Sequence, residues 1–180
     1  MGTRSFSINE ISGNVGISDS ARVIRNSFRT VAKEFNLTRE NCPTHPSFIT
    51  VGQLIELKKK GLNFFRGFLG ETQVGFVALE KADEALYYME KLAVLPDYRY
   101  QGYGQKLVEF AVDYVRSHNG KKISIGTIDE HAILKNWYKK LGFREISTRK
   151  FNHLPFTVCY MEVDTHEQAR GTLKLRLRLT

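Results

Sequence analysis

The stretch Leu92–Leu107, LAVLPDYRYQGYGQKL, decides how this chain is to be read. An apolar strand runs into Pro96, a turn holding Arg99, Gly102 and Gly104 follows, and a helical pattern starts at once. Pro96 closes the strand because it has no amide N–H to give to a sheet. A helix start leaves about four N–H groups without intrahelical partners and carries partial positive charge, so it draws anions. Glycines at 102 and 104 would let a phosphate approach the backbone and supply φ values that other residues adopt only at a cost. Arg99 adds a permanent cation whose planar fork of donors suits phosphate oxygens. The string therefore reads as a phosphate-binding turn; taken alone, it reads as well as a glycine turn without a ligand.

Two better-known glycine motifs fail on the same residues. A dinucleotide fingerprint wants a third glycine at position 107, where Leu107 stands, and no acidic residue is placed to receive a ribose within a βαβ unit. A Walker-type loop needs Gly-Lys followed by Ser or Thr. The chain's Gly120-Lys121 is followed by Lys122, with Val115 where the first glycine belongs.

Downstream, Asp129–Phe143 (DEHAILKNWYKKLGF) predicts a short helix with Ala132, Ile133, Trp137 and Leu141 on one buried stripe, ended by Gly142 before Phe143 opens a strand. Together the two segments resemble the GNAT superfamily of acetyl-CoA-dependent N-acetyltransferases. In that superfamily V-x-P-x-x-R-x-x-G-x-G opens the main cofactor helix and a W/L-Y-x-x-x-G-F unit follows. Val94, Pro96, Arg99, Gly102, Gly104, Tyr138, Gly142 and Phe143 match. The resemblance implies an α/β (α+β) fold whose central sheet is mixed, mostly antiparallel and twisted, with about six to seven strands flanked by about four helices. It implies a single N-acetyltransferase domain over residues 1–163, with 164–180 a basic, leucine-bearing tail.

Bulk properties agree with one domain: 180 residues, 42% of them hydrophobic, suffice for one core. Two cysteines, Cys42 and Cys159, are too few for a disulfide framework and suit a reducing cytoplasm. The N-terminal MGTRSF has no apolar signal core, and no apolar run is long enough to span a membrane. The net charge of +8 raises a nucleic-acid reading. Against it, Lys58–Lys60, Lys121-Lys122 and Lys139-Lys140 fall at predicted helix ends or turns, where solvated lysines are ordinary. A basic surface equally favours a cofactor that carries several phosphates.

Patterning places the remaining elements. Phe6 and Ile8 mark a strand, and Asp19 or Ser20 starts a helix with Ile24, Phe28, Val31, Ala32 and Phe35 on one face. Thr50 and Gln53 form a capping box for a helix that stops at Gly61. Segments 62–69 and 73–80 form a hairpin turning at Gly70-Glu71, and 86–95 continue the meander. Segment 122–127 is a buried parallel strand, and 144–151 with 156–163 are the closing pair. TLKLRLRLT, at the end, alternates at period two and reads as an edge strand, a homodimer contact or a segment outside the core fold.

The resemblance also assigns roles. The pantetheine arm of acetyl-CoA would lie like an added strand along the backbone of Leu92, Ala93 and Val94. Its pyrophosphate would sit on the amides of Gln101, Gly102, Tyr103, Gly104 and Gln105, with Arg99 and Tyr100 beside them. The acceptor amine has a reference pKa of about 10.4, so a base or water chain must take its proton near neutral pH. Glu90 is the candidate: strict alternation puts it on the face of Tyr88, Leu92 and Val94, and a carboxylate in an apolar strand needs a reason. A salt-bridged surface glutamate is its other reading. Tyr138 stands where much of the family carries the tyrosine that serves the leaving thiolate; its other reading is a packed ring with its hydroxyl in water. His131 stands where many members have an Asn that bonds the pantetheine, and an imidazole is longer and titrates. Phe48, His153 and Phe156, from the NCPTHPSF and HLPF segments, are candidates to line an amine pocket. Cys42 and His45 have C-x-x-H spacing, but nothing local pairs them with His153 or Cys159, so no metal is expected and Cys42 reads as a small buried hydrophobe. The implied function is transfer of an acetyl group from acetyl-CoA to a primary amine of a small molecule or protein. A catalytically silent acyl-CoA sensor and a basic nucleic-acid-binding domain are the alternatives.

Overall fold

The computed structural model describes residues 5–167, so residues 168–180 of the tail, TLKLRLRLT among them, lie outside the described residues. Seven strands follow the order β1-β2-β3-β4-β5-β7-β6. They are β1 (Phe6–Glu10), β2 (Asn63–Leu69), β3 (Thr72–Lys81), β4 (Leu86–Val94), β5 (Lys122–Ile128), β6 (Arg144–Lys150) and β7 (Thr157–Asp164). The helices are α1 (Ile17–Glu34), α2 (Val51–Lys59), α3 (Tyr103–Ser117) and α4 (Ala132–Lys140), with 3₁₀ turns at Pro46–Phe48 and Pro96–Tyr98. β4 and β5 are parallel, through Leu86–Lys122, Tyr87–Ile123 and Tyr88–Ser124, whereas β1–β2, β2–β3, β5–β7 and β6–β7 are antiparallel. This is the mixed, mostly antiparallel sheet expected from the sequence.

The chain forms two compact units. Among the described residues, one comprises 5–80 with Met89–Glu109; the other comprises Lys81–Tyr88 and 110–167. In the first, Ile17, Ala21, Val23 and Ile24 of α1 join Leu54 of α2 and Phe64, Phe76, Ala78 and Ala93 of the strands in one buried cluster. β3 is buried without interruption from Gln73 to Leu79, because both of its faces are covered. The one polar side chain in that run, Gln73, donates to Ser20 Oγ of α1 at 3.1 Å and to Gly75 O at 3.3 Å, which removes the cost of burying its amide.

α1 begins at Ile17, earlier than the Asp19 or Ser20 start read from the sequence, because Gly16 at φ 79° serves as its N-cap without a side-chain bond. α2 begins as its capping box dictates: Thr50 Oγ1 accepts from Gln53 N at 3.1 Å and Gln53 Oε1 accepts from Thr50 N at 2.8 Å. In the second unit, Thr165 ties the end of β7 to the loop before β5, donating from Oγ1 to Gly120 O at 2.9 Å. β6 is exposed along its whole length, and its charged residues and the irregularity between Glu145 and Ser147 are the usual protections of such an edge. No described helix is long and apolar enough to cross a membrane.

The seat of α3 depends on a missing side chain. A Cβ at Gly75 would stand 2.9 Å from Leu107 Cδ1 and 3.3 Å from Ala93 O, and Leu107 is itself fully buried, so neither neighbour can yield cheaply. We expect Gly75→Ala to cost about 1–3 kcal/mol by overpacking, read as a lower urea midpoint with an unchanged slope.

Candidate functional site

In the first unit β4 delivers the chain to the turn. Leu95 N donates to Val74 O at 2.9 Å, the 3₁₀ turn Pro96–Tyr98 follows, and Arg99 N donates to Pro96 O at 3.2 Å. Tyr100 and Gly102 both take left-handed backbone, at φ 61° and 82°. Lys106 N donates to Gly102 O at 3.0 Å. Gly102 thus acts as the N-cap of α3, and helix geometry leaves the amides of Tyr103, Gly104 and Gln105 ahead of the first intrahelical bond. No atom lies within 4 Å of a Cβ built on Gly102, so this glycine answers the φ requirement and faces open space. Such an open helix start fits an anionic group. Tyr100 is fully exposed at the tip, and the side-chain Nε2 groups of Gln101 and Gln105 donate to Asp97 O at 3.2 Å and Glu109 Oε1 at 2.8 Å. Tyr103 stacks on Phe6 of β1, centroids 4.8 Å apart, with Lys106 Nζ 5.7 Å from the Phe6 centroid.

Arg99 is engaged otherwise than a phosphate ligand would be. Its Nε donates to Val94 O at 3.1 Å, Nη1 to Thr30 Oγ1 at 2.9 Å and Nη2 to Ser27 O at 2.6 Å. The guanidinium therefore clamps α1 to the end of β4. Burial lowers its pKa, but a guanidinium keeps its charge regardless.

Upstream of the turn, Ala93 is buried and Leu92 and Val94 are half-buried. Lys91 departs from strand geometry at φ 53°. A left-handed residue inside a strand breaks the period-two order of side chains, so the shared face of Glu90 with Leu92 and Val94, inferred from strict alternation, does not follow from the backbone. What the distortion does is bring two sequence neighbours together. Lys91 Nζ donates to Glu90 Oε2 at 2.5 Å, with the two side chains 14% and 35% exposed.

In the second unit α4 carries Tyr138 and follows His131, which is its half-buried N-cap residue without a side-chain capping bond. The stripe predicted for α4 needs correction. Ala132 and Ile133 are exposed, Ile133 by 76%, while Tyr138 is buried and Leu134 and Leu141 are half-buried. The helix starts at Ala132, and the i, i+4, i+7 set 134, 138, 141 faces inward. The Tyr138 ring meets Trp137 and Phe143 edge-on at 4.9 and 5.2 Å. Burial raises the pKa of its phenol well above the ordinary tyrosine value. α4 is held by charge as well: Lys135 Nζ lies 2.5 Å from Asp129 and 3.5 Å from Glu145, and Lys139 Nζ lies 2.9 Å from Glu145. Asp129 and Glu145 hold the Lys135 ammonium, raising its pKa.

The segments expected to contact an acceptor differ in character. In the first unit Phe48 is half-buried beneath Arg39, whose Cζ lies 5.0 Å from the ring centroid. In the second, His153 is exposed beside Phe151 and Phe156 is half-buried. Cys42 and Cys159 are free and buried, and no group of three or more metal-ligating side chains occurs among the described residues. His45, set aside above with the C-x-x-H spacing, is a structural residue. It is 7% exposed, its Nδ1 accepts from Ser47 N at 3.3 Å, and its ring meets Phe28 and Phe48 edge-on at 5.7 and 6.2 Å.

Sequence reasoning missed the Arg99 clamp, the left-handed Lys91 and the Lys135 network. Arg99 bonds partners remote in the chain, Lys135 bonds residues on the segments either side of its own helix, and the one hint of Lys91's geometry was a charged pair inside an apolar strand.

A seven-stranded mixed sheet with one parallel pair and a glycine-capped helix start after the strand of that pair define an acyltransferase-type α/β fold. The sequence profile of the Acetyltransferase (GNAT) family matches residues 28–143, and the chain belongs to that family. PaiA N-acetyltransferase from Thermoplasma acidophilum, solved with coenzyme A, is 16% identical with a TM-score of 0.74, over 89% of this chain and 99% of that one. The ribosomal-protein-S18-alanine N-acetyltransferase of Escherichia coli is 14% identical with a TM-score of 0.71, over 89% and 94%. Spermidine N-acetyltransferase from Vibrio cholerae, solved with CoA and spermine, is 17% identical with a TM-score of 0.69, over 91% and 98%. These likenesses are of fold. No curated protein matches the chain.

The His45 environment has a measurable consequence. Burial pushes its pKa down to about 4 from an ordinary value of 6.5, so the unfolded chain binds the proton first as pH falls. Stability contributed by the neutral ring is whole above pH 6.5 and is lost as pH drops toward 4, by about 3 kcal/mol at most. In urea titrations across that window, His45→Asn, which retains an acceptor for Ser47 N, should show a shallower decline than wild type; parallel curves would contradict this origin of the acid sensitivity.

Proposed function

We propose that this chain transfers the acetyl group of acetyl-CoA to a primary amine by direct attack, in the cytoplasm, where acetyl-CoA is present and free cysteines persist. The observation that carries the reading is the open start of α3: a left-handed Gly102 cap facing open space, with the amides of Tyr103, Gly104 and Gln105 ahead of the first intrahelical bond, in the turn that follows β4. Those amides, with Gln101 and Gly102, would hold the pyrophosphate, and Tyr100 stands exposed beside them. Arg99 would contribute its charge and the placement of the turn, since three of its five donors are committed to Ser27, Thr30 and Val94. Backbone groups of Leu92, Ala93 and Val94 would bind the pantetheine arm. One of their N–H groups would stabilise the oxygen that gains charge as the thioester carbonyl is attacked, a contribution of about 3 kcal/mol.

Glu90 is the group we assign to accept the amine's proton. Its carboxylate is half-buried in β4 directly before the Leu92–Val94 backbone, and its ion pair with Lys91 would have to open for it to take the proton of an acceptor amine. Tyr138 is assigned to the leaving thiolate. A phenol whose pKa burial has raised is a weaker acid than a thiol, so Tyr138 donates a hydrogen bond and keeps its proton. His131, at the head of α4, is assigned to the pantetheine in place of the usual Asn. Phe48, His153 and Phe156 are the residues assigned to shape acceptor choice, in a single transferase domain over residues 1–163.

Coenzyme A should raise the melting temperature, because a ligand that binds only the folded state stabilises it by mass action. Acetyl-CoA with a panel of amines and peptides should then release free thiol; stabilisation without release would leave an acyl-CoA-binding module in place of an enzyme. Glu90→Gln should lower kcat/KM about a hundredfold and flatten the acidic limb of its pH profile. Tyr138→Phe should lower kcat about tenfold, the value of one hydrogen bond, with coenzyme affinity unaltered.

A further inference from the structure

Adjacent residues of a regular strand point to opposite faces, so a glutamate and the lysine after it do not normally meet. Here the left-handed backbone at Lys91 overrides that rule and sets Nζ 2.5 Å from Glu90 Oε2. Non-glycine residues pay about 1–2 kcal/mol to adopt this conformation, which makes it an unusual investment for a surface ion pair. The Lys91 side chain is also only 14% exposed, as sheltered as Lys135 at 15%, whereas Lys59, Lys122 and Lys139 are 67%, 55% and 49% exposed. A primary amine thus rests on the carboxylate assigned as base, one residue before the Leu92–Val94 backbone assigned to the thioester.

We propose that Lys91 is a self-acetylation site, at which the chain's own amine takes the acetyl group of bound acetyl-CoA. The inference rests on the transferase reading above. Glu90 takes one proton from the Lys91 ammonium, and the freed Nζ lone pair attacks the thioester carbonyl carbon. The N–C bond forms as the C–S bond breaks, and the second proton leaving nitrogen ends on the CoA sulfur. Glu90 returns its proton to water, so the products are Nε-acetyl-Lys91, free CoA and one proton. Acetylation cancels the lysine charge and releases the carboxylate from its partner.

Limited exposure makes the site diagnostic, because untemplated chemistry would modify Lys59, Lys122 and Lys139 before Lys91. Purified full-length protein is incubated with acetyl-CoA and no added amine, then followed by intact mass, peptide mapping and free thiol. The expected result is one acetyl group on Lys91 ahead of the exposed lysines, with matching thiol release. The mass gain should be absent in Lys91→Arg and slowed about a hundredfold in Glu90→Gln. Thermal shift by CoA and thiol release on added amines, with Lys91 unmodified, would overturn self-acetylation and leave the transferase reading standing. Acetylation spread over exposed lysines at equal rates, unaffected by Glu90→Gln, would also overturn it. The absence of both thermal shift and thiol release would overturn the two together.

Discussion

The candidate site depends first on a half-buried cation bonded three times by the chain itself. Arg99 reaches Val94 O at the end of β4 and Ser27 O and Thr30 Oγ1 on α1, so one planar group fixes a strand end against a helix from a distant part of the sequence. A guanidinium taken out of water is costly unless it is bonded, and here the backbone carbonyls and a hydroxyl meet that need. Because Arg99 sits in the turn, fixing it also fixes where the next four residues begin. The amides at the head of α3 inherit their position from this clamp and from the close fit of Leu107 over Gly75.

Around that anchor, the backbone turns left-handed three times within twelve residues. Lys91, Tyr100 and Gly102 all take positive φ, the first two without the freedom of glycine. Each diverts the chain from a regular course: Lys91 redirects side chains within β4, Tyr100 turns the chain out to solvent, and Gly102 opens the helix. Strain of this kind persists only where surrounding packing imposes it, and the rigid core under β3 and β4 supplies that packing. In the second unit the corresponding work falls to charge and aromatic packing. Lys135 and Lys139 hold α4 through Asp129 and Glu145, and Trp137 and Phe143 flank the buried Tyr138 ring.

The two units place chemistry under different constraints. Glu90, Lys91 and the turn proposed to hold the pyrophosphate belong to the first, where the proposed contacts to the coenzyme come from backbone groups. Tyr138 and His131 belong to the second, carried by a helix whose inward face is set by Leu134, Tyr138 and Leu141. His45, between Phe28 and Phe48, stiffens the link from α1 to α2 as a neutral ring, so acceptor selectivity attributed to that segment would rest on its aromatic packing.

Local chemistry alone determined much of this protein. The Thr50–Gln53 capping box, the Gly70-Glu71 hairpin, the Pro96 stop and the glycine-opened α3 are encoded within a few residues each, and period-two and helical patterns located every described strand and helix to within a few positions. Patterning erred where a glycine outcompeted a side-chain cap, at Gly16, and where a short amphipathic helix offered two possible faces, at Ile133. Tertiary structure decided the partners of Arg99, the network of Lys135, the burial of Tyr138 and the meeting of Glu90 with Lys91. Each depends on groups brought together by the sheet, or on a backbone twist forced by packing, and neither is written in the spacing of neighbouring residues.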